Sequence, residues 1–300
     1  MNKNQIISCF VSVFLIFSSC KKSNNDSPSV SEPPSTWQEH WFEHNQLLNR
    51  VFYNDNLVVY YDNDVNKSIG WPNDYLTKVW QYTKNVYGNF GDDGRLFAIF
   101  HTAKYAGGHP SNYFENSHDN RNVIDVGLSD KNAWVDFTAN EKDIVTHEVG
   151  HIVEFASKGK HNSPTFKIWG DSKWMEIYQY DVYKKLGLTS DADRWYAKCM
   201  ATVDNFPKAN TQWFKNWFYP IYANNGGTAT LNKFFVLLAQ NFPSNGSDYT
   251  RDLNWGEFVH FWSGAAGINL KQQATTAFGW TTEMENQFIK AKTDFPNISY

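Results

Sequence analysis

The sequence predicts an α+β fold of 300 residues, with a mixed β-sheet and a motif-bearing helix in the N-terminal half and a helical C-terminal half. Three observations predict it. Short apolar runs rich in β-branched and aromatic residues occur up to Leu128, the segment around His147-Glu148-Val149-Gly150-His151 has helical apolar spacing, and strand signals fade beyond Lys160.

Taken in order, Leu57 to Tyr61 reads as a strand and Asp74 to Tyr87 as a helix. Arg95 to His101 is a second strand after a Gly-Asp-Asp-Gly turn, and Asn122 to Leu128 a third after a polar loop containing Gly107-Gly108-His109-Pro110. The helix that follows opens on Thr138-Ala-Asn-Glu141, a capping-box sequence. Ile144, Val145, Val149, Ile152, Val153 and Ala156 form its buried face, and it ends near Gly159. Ser172 to Leu186, Asp191 to Val203, Leu231 to Asn241, Trp255 to Ala265 and Thr282 to Lys292 suit helices separated by Gly, Pro and Asn breaks. Asp62-x-Asp64-x-Asn66 starts like a calcium loop, but Lys67 and Asn73 stand where Gly and Glu are required, so it reads as a solvated turn.

Residues 1–19 have the charge, apolar core and small-residue exit of an export signal, and Phe17-Ser18-Ser19-Cys20 resembles a bacterial lipobox with Cys20 as the acylated residue. Residues 20–36, rich in Ser, Asn and Pro, read as a solvated tether. The expected division is then 37–165 for the sheet-containing subdomain and 166–300 for the helical one. The expected address is the bacterial cell envelope, at the outer membrane or cell surface, with the lipid as the only membrane attachment. No apolar stretch reaches the roughly 18 residues of a spanning helix. Processing would leave Cys199 as a free core thiol and no intrachain disulfide.

With 27 basic against 31 acidic side chains and a net charge of −4, the chain lacks the basic footprint of a nucleic-acid binder. A hydrophobic content of 41% and 13 Trp exclude disorder for most of its length.

His147 to His151 fits His-Glu-x-x-His. Ligands four apart on a helix differ by about 40° around the axis, so both rings can face one cation. Catalytic Zn2+ takes three protein ligands and leaves a position for water, and Glu148 can face that water as general base. An extended metzincin motif would need Gly at position 154 and His at 157, where Glu154 and Ser157 stand. Glu154 lies too close on the same helix to fold back, and the only Glu between it and Glu257 is Glu176, the leading third ligand. Asp181 shares a helix face with Trp174, Ile177 and Tyr178. It is expected to be buried, either orienting a ligand His, replacing Glu176 as ligand, or pairing with a base. His161 and Asp171 are weaker ligand candidates.

These residues resemble the gluzincin metallopeptidases, which complete His-Glu-x-x-His with a Glu from a downstream helix. Trp174 to Asp181 is similar to their W-x-x-E-G-F-A-x-Y segment, with the spacing before Glu one shorter and the small residues after it absent. Phe261 to Leu270 with Phe278-Gly279-Trp280 resembles a C-terminal helical segment of related bacterial families, so the likeness runs from Leu57 to Trp280. It implies a zincin-like fold and a zinc metallopeptidase with His147, His151 and Glu176 as ligands and Glu148 as base, which the lipobox-like Cys20 segment would anchor by lipid. It also implies a Tyr or His that stabilises the oxyanion, for which Tyr219, Tyr222 and His260 are available. A peptide or protein substrate, glycoprotein included, and a monomeric state are expected. The competing expectation is a noncatalytic lipoprotein that binds glycans or a protein partner through its Trp and Tyr side chains.

Overall fold

A computed structural model describes residues 31–300; the expected signal, Cys20 and most of the tether lie outside the described residues. The strands β1 (Thr36–Gln38), β2 (Leu47–Tyr53), β3 (Leu57–Tyr61), β4 (Leu96–Thr102), β5 (Gly107–Ser111) and β6 (Asn122–Leu128) form one sheet in the order β1-β2-β3-β4-β6-β5. The central strands β3, β4 and β6 run parallel, while β2 joins β3 and β5 joins β6 antiparallel.

The central strands are apolar on both faces because both faces are covered. Val58, Tyr60, Phe97, Ile99 and Val123 lie under Trp37 and Trp41 of the N-terminal segment. Leu57, Val59, Tyr61, Ala98, Phe100, Ile124 and Val126 meet the helices. Helix α1 (Trp71–Tyr87) links β3 to β4 and starts three residues before the expected Asp74, because Pro72 is accepted in a first turn. β1, β2 and β5 are the strands of this sheet that periodicity missed; Gly-Gly-His-Pro-Ser forms a strand only through its pairing with β6 at the sheet edge, where Pro is tolerated.

After β6 come α2 (Ala139–Ala156), α3 (Phe166–Trp169), α4 (Lys173–Lys185), α5 (Thr189–Ala201), α6 (Tyr219–Asn224) and α7 (Thr228–Asn241). The short hairpin of β7 (Ser244–Asn245) and β8 (Asp248–Tyr249) follows, then α8 (Trp255–Ala266), α9 (Lys271–Phe278) and α10 (Thr282–Asp294). The helices share one core with the sheet, and Glu32–Tyr300 is a single compact unit. Thr138 is the N-cap of α2, but its side chain caps no backbone N–H; its hydroxyl bonds the Glu141 carboxylate instead, so the expected box is not closed. Cys199 is buried and free, and burial pushes its thiol up. Among the described residues no helix is long and apolar enough to cross a membrane.

Helices α2 and α4 approach closely at Gly150. A Cβ there would stand 2.8 Å from the Met175 sulfur and 2.9 Å from a ring carbon of Tyr178, both fully buried. The expected cost of Gly150→Val is about 1–3 kcal/mol of unfolding free energy, from overpacking that two buried side chains cannot relieve; urea denaturation measures it.

Candidate active site

Helix α2 carries His147, Glu148 and His151 to a cleft of about 330 Å³, bounded on one side by β5 from Gly108 to Ser111 and on the other by Phe155, Phe166 and Asp171. Two imidazole nitrogens meet there: His147 Nε2 lies 3.2 Å from His151 Nε2. Asp171 Oδ1 lies 3.4 Å from the same His151 nitrogen, and the three residues form a group within ligand reach of one point. The other nitrogen of His151 is engaged, since its Nδ1 bonds Glu154 Oε2 at 3.2 Å. A neutral His151 that donates there presents a lone pair at Nε2, towards a second imidazole and a carboxylate oxygen. Such a convergence of acceptors suits a cation. Ligands 2.0–2.1 Å from a tetrahedral zinc are about 3.3 Å apart, close to both separations found.

Sequence reasoning set Glu154 aside as a ligand candidate; it does not turn towards the imidazole pair's meeting point but bonds the far side of the His151 ring. Ser163 Oγ donates to its second oxygen at 2.7 Å and the Trp169 indole N–H donates to that oxygen as well, so the carboxylate is fixed on both sides and sets the tautomer of His151. The signal was the His-x-x-Glu spacing itself, three residues apart on one helix face.

Glu148 is 6% exposed and packs against β5 at Gly108, where a Cβ would stand 2.5 Å from its Oε1. Burial pushes the Glu148 carboxyl up to about 7 and the His147 imidazole down to about 4. Burial disfavours a charged His151, but its hydrogen bond to Glu154 together with the charges of Glu154, Glu148 and Asp171 outweighs it and the net shift is upward.

The other expected site residues are placed differently. Glu176 lies in the first turn of α4 and is not in the group formed with the two imidazoles. Its backbone carbonyl accepts from Trp195 on α5, and the nearest cation, Lys173 Nζ, is 4.0 Å from Oε1. Its Oε2 is buried without a partner, and burial pushes the carboxyl up to about 7. Asp181 is fully buried, as its helix face implied, but it orients no histidine. Tyr222 Oη at 2.8 Å, Thr228 Oγ1 at 2.6 Å and the Tyr82 hydroxyl all donate to it, tying α4 to α1, α6 and α7. Tyr222 is thereby occupied, and Tyr219 packs among Tyr180, Tyr196 and Phe214. His260 sits in α8 between Tyr300 Oη at 2.9 Å and the Phe295 carbonyl at 3.3 Å. None of these three lines the cleft, where the polar side chains of β5 and the following turn, including His109 and Asn112, stand instead. His161 bonds Asp248 at 2.7 Å, also outside the cleft.

No protein-family model and no curated protein sequence matches the chain. Among solved structures it is similar to an M1 zinc metallopeptidase from Deinococcus radiodurans, at TM-score 0.48 and 10% identity over 78% of this chain and 49% of that one. A point mutant of an M1 zinc metallopeptidase from the same organism gives TM-score 0.43 and 10% identity over 85% and 50%. The chain spans about half the length of these structures.

Replacing Glu154 with Ala frees the His151 ring and strands the Trp169 and Ser163 donors. The expected outcome is a loss of about 1–3 kcal/mol in stability, measured by denaturation.

Proposed function

We propose that the protein is a zinc-dependent peptidase whose metal is held by His147, His151 and a carboxylate from the segment between Gly170 and the first turn of α4. The observation that carries this reading is the meeting of two imidazole nitrogens and an acidic oxygen within ligand distance, one residue from a buried Glu148, in a cleft beside an unpaired strand edge. Bound zinc supplies a Lewis acid for the scissile carbonyl and acidifies water. Glu148 accepts a proton from the attacking water and delivers it to the amine nitrogen that leaves as the C–N bond breaks. Glu154 keeps the His151 ring in register throughout. The outer edge of β5 offers backbone groups to an extended peptide, which would lie across the mouth of the cleft as an added strand.

Two carboxylates compete for the third ligand position, for different reasons. Asp171 is within reach and, with a side chain 81% exposed, is free to close on an ion. Glu176 has the buried oxygen without a partner. Asp171→Asn and Glu176→Gln separate them: the variant that loses one equivalent of zinc relative to the parent identifies the ligand, and undiminished zinc in both defeats the three-ligand site.

The noncatalytic alternative drew on Trp and Tyr side chains as stacking platforms; none of the 13 Trp is exposed, and among the described Tyr residues only Tyr53 is. In the proposed setting the export signal directs the chain to the envelope and is removed, and the lipid on Cys20 tethers the catalytic body there, where peptide or protein substrates are met.

Glu148→Gln is expected to keep its zinc while hydrolysis of a casein or fluorogenic peptide substrate falls by about 10²–10⁴-fold. A chelator should abolish turnover in the parent protein and zinc should restore it. Undiminished hydrolysis in Glu148→Gln would refute the mechanism. Gly108→Ala should lower turnover without unfolding the chain, because its methyl group pushes Glu148 from the wall of the cleft.

A further inference from the structure

A second group of ligand-type side chains lies on the other face of the sheet, under the N-terminal segment. Glu39, His44, His101 and Asp125 each bring one donor atom within 4.8 Å of all the others, and all four residues are buried. Their partners account for every donor atom of Glu39, His101 and Asp125 except those that converge, while His44 Nδ1 is shared with Asp125 Oδ2. Glu39 Oε2 accepts from the Gln46 backbone at 2.8 Å, leaving Oε1. Asp62 Oδ2 takes His101 Nδ1 at 2.9 Å, leaving Nε2. Asp125 Oδ2 accepts from the Trp41 indole at 2.9 Å and lies 3.0 Å from His44 Nδ1, leaving Oδ1. Glu39 Oε1, His101 Nε2 and Asp125 Oδ1 are buried with no aligned hydrogen bond, although residue exposure there is 2%, 0% and 1%.

We propose that this group is a structural site for a divalent transition-metal ion of the zinc class, with Glu39, His101 and Asp125 as ligands and His44 as the fourth. His101 Nε2 is 2.9 Å from Glu39 Oε1 and 3.1 Å from Asp125 Oδ1, and His44 Nδ1 is 3.6 Å from Glu39 Oε1. These separations bracket the roughly 3.3 Å edge of a tetrahedral zinc site. Asp62 stands behind His101 as the carboxylate that fixes a ligand imidazole, while its other oxygen accepts the backbone N–H groups of Asp64 and Val65. Charge points the same way. Glu39, Asp62 and Asp125 bring three carboxylates into the interior and, against burial, hold the His101 imidazole up to about 11, while Lys104, paired with Asp64, reaches Asp62 at 3.6 Å; a bound dication would take over the charge that a protonated His101 otherwise supplies. Nitrogen and oxygen donors in a four-membered set suit zinc or cobalt better than magnesium or calcium.

The ion would pin the N-terminal segment, through Glu39 and His44, to β4 and β6, through His101 and Asp125. The inference is independent of the peptidase reading, and its test removes the cleft site first. His147→Ala/His151→Ala protein is stripped with a chelator, reloaded with Zn2+ or Co2+, dialysed and assayed by mass spectrometry of the metal. It should retain about one equivalent and melt at higher temperature with metal than without. Adding Asp125→Asn should reduce the retained metal to near zero. Should that triple variant not fold, the cobalt anomalous peak in crystals of the double variant locates the ion. A folded double variant that retains no metal, or a peak away from Glu39 and His101, overturns the proposal and leaves a protonated His101 bridging the carboxylates.

Discussion

The site depends on a close three-layer contact: α2 is held between the edge strand β5 and helix α4, with a glycine at each contact. Gly108 lets the Glu148 carboxylate lie against the strand, and Gly150 lets Met175 and Tyr178 approach the helix backbone. The Trp174 indole donates to the Gly150 carbonyl at 3.2 Å and fixes the relative height of the two helices. A packed interior transmits small displacements, so the position of the imidazole pair relative to the cleft is set by these contacts as much as by the motif.

Polar groups at the site are held at a cost that only tertiary partners offset. Glu154 is buried among Ser163, Trp169 and His151, each from a different segment, and every one of its bonds narrows the orientation of a ring that faces the cleft. Asp181 shows the same economy of partners for a different purpose: three hydroxyls from α1, α6 and α7 satisfy a carboxylate at the centre of the helical half. Hydrogen bonds of this kind define one arrangement of the helices more sharply than apolar contacts can.

Local signals were legible, and nonlocal ones were not. The helix bearing His147 and His151 was readable because its spacing and its apolar face lie within one element, and the parallel strands because both of their faces are buried. Strand β5 was not, since Gly107 to Ser111 owes its conformation to β6 rather than to its own composition. The burial of Asp181 followed from helix periodicity, but its partners come from elements 41 to 99 residues away along the chain. The choice between Asp171 and Glu176 illustrates the same limit. Elimination by residue type favours Glu, while the turn at Gly170, with φ of 61°, turns the chain so that Asp171 faces the imidazoles. The buried group of Glu39, His44, His101 and Asp125 has no compact motif at all, because the sheet assembles it from separate segments.

The rim of the cleft is formed by a strand bonded on one side only. Its amides on the free side have no sheet partner, and its mate β6 belongs to the fully covered interior. Segments with few protected amides open at lower free energy than the core around them. Deuterium uptake would accordingly enter Gly107 to Ser111 ahead of β4 and β6, making this lip a separately fluctuating unit on a rigid base.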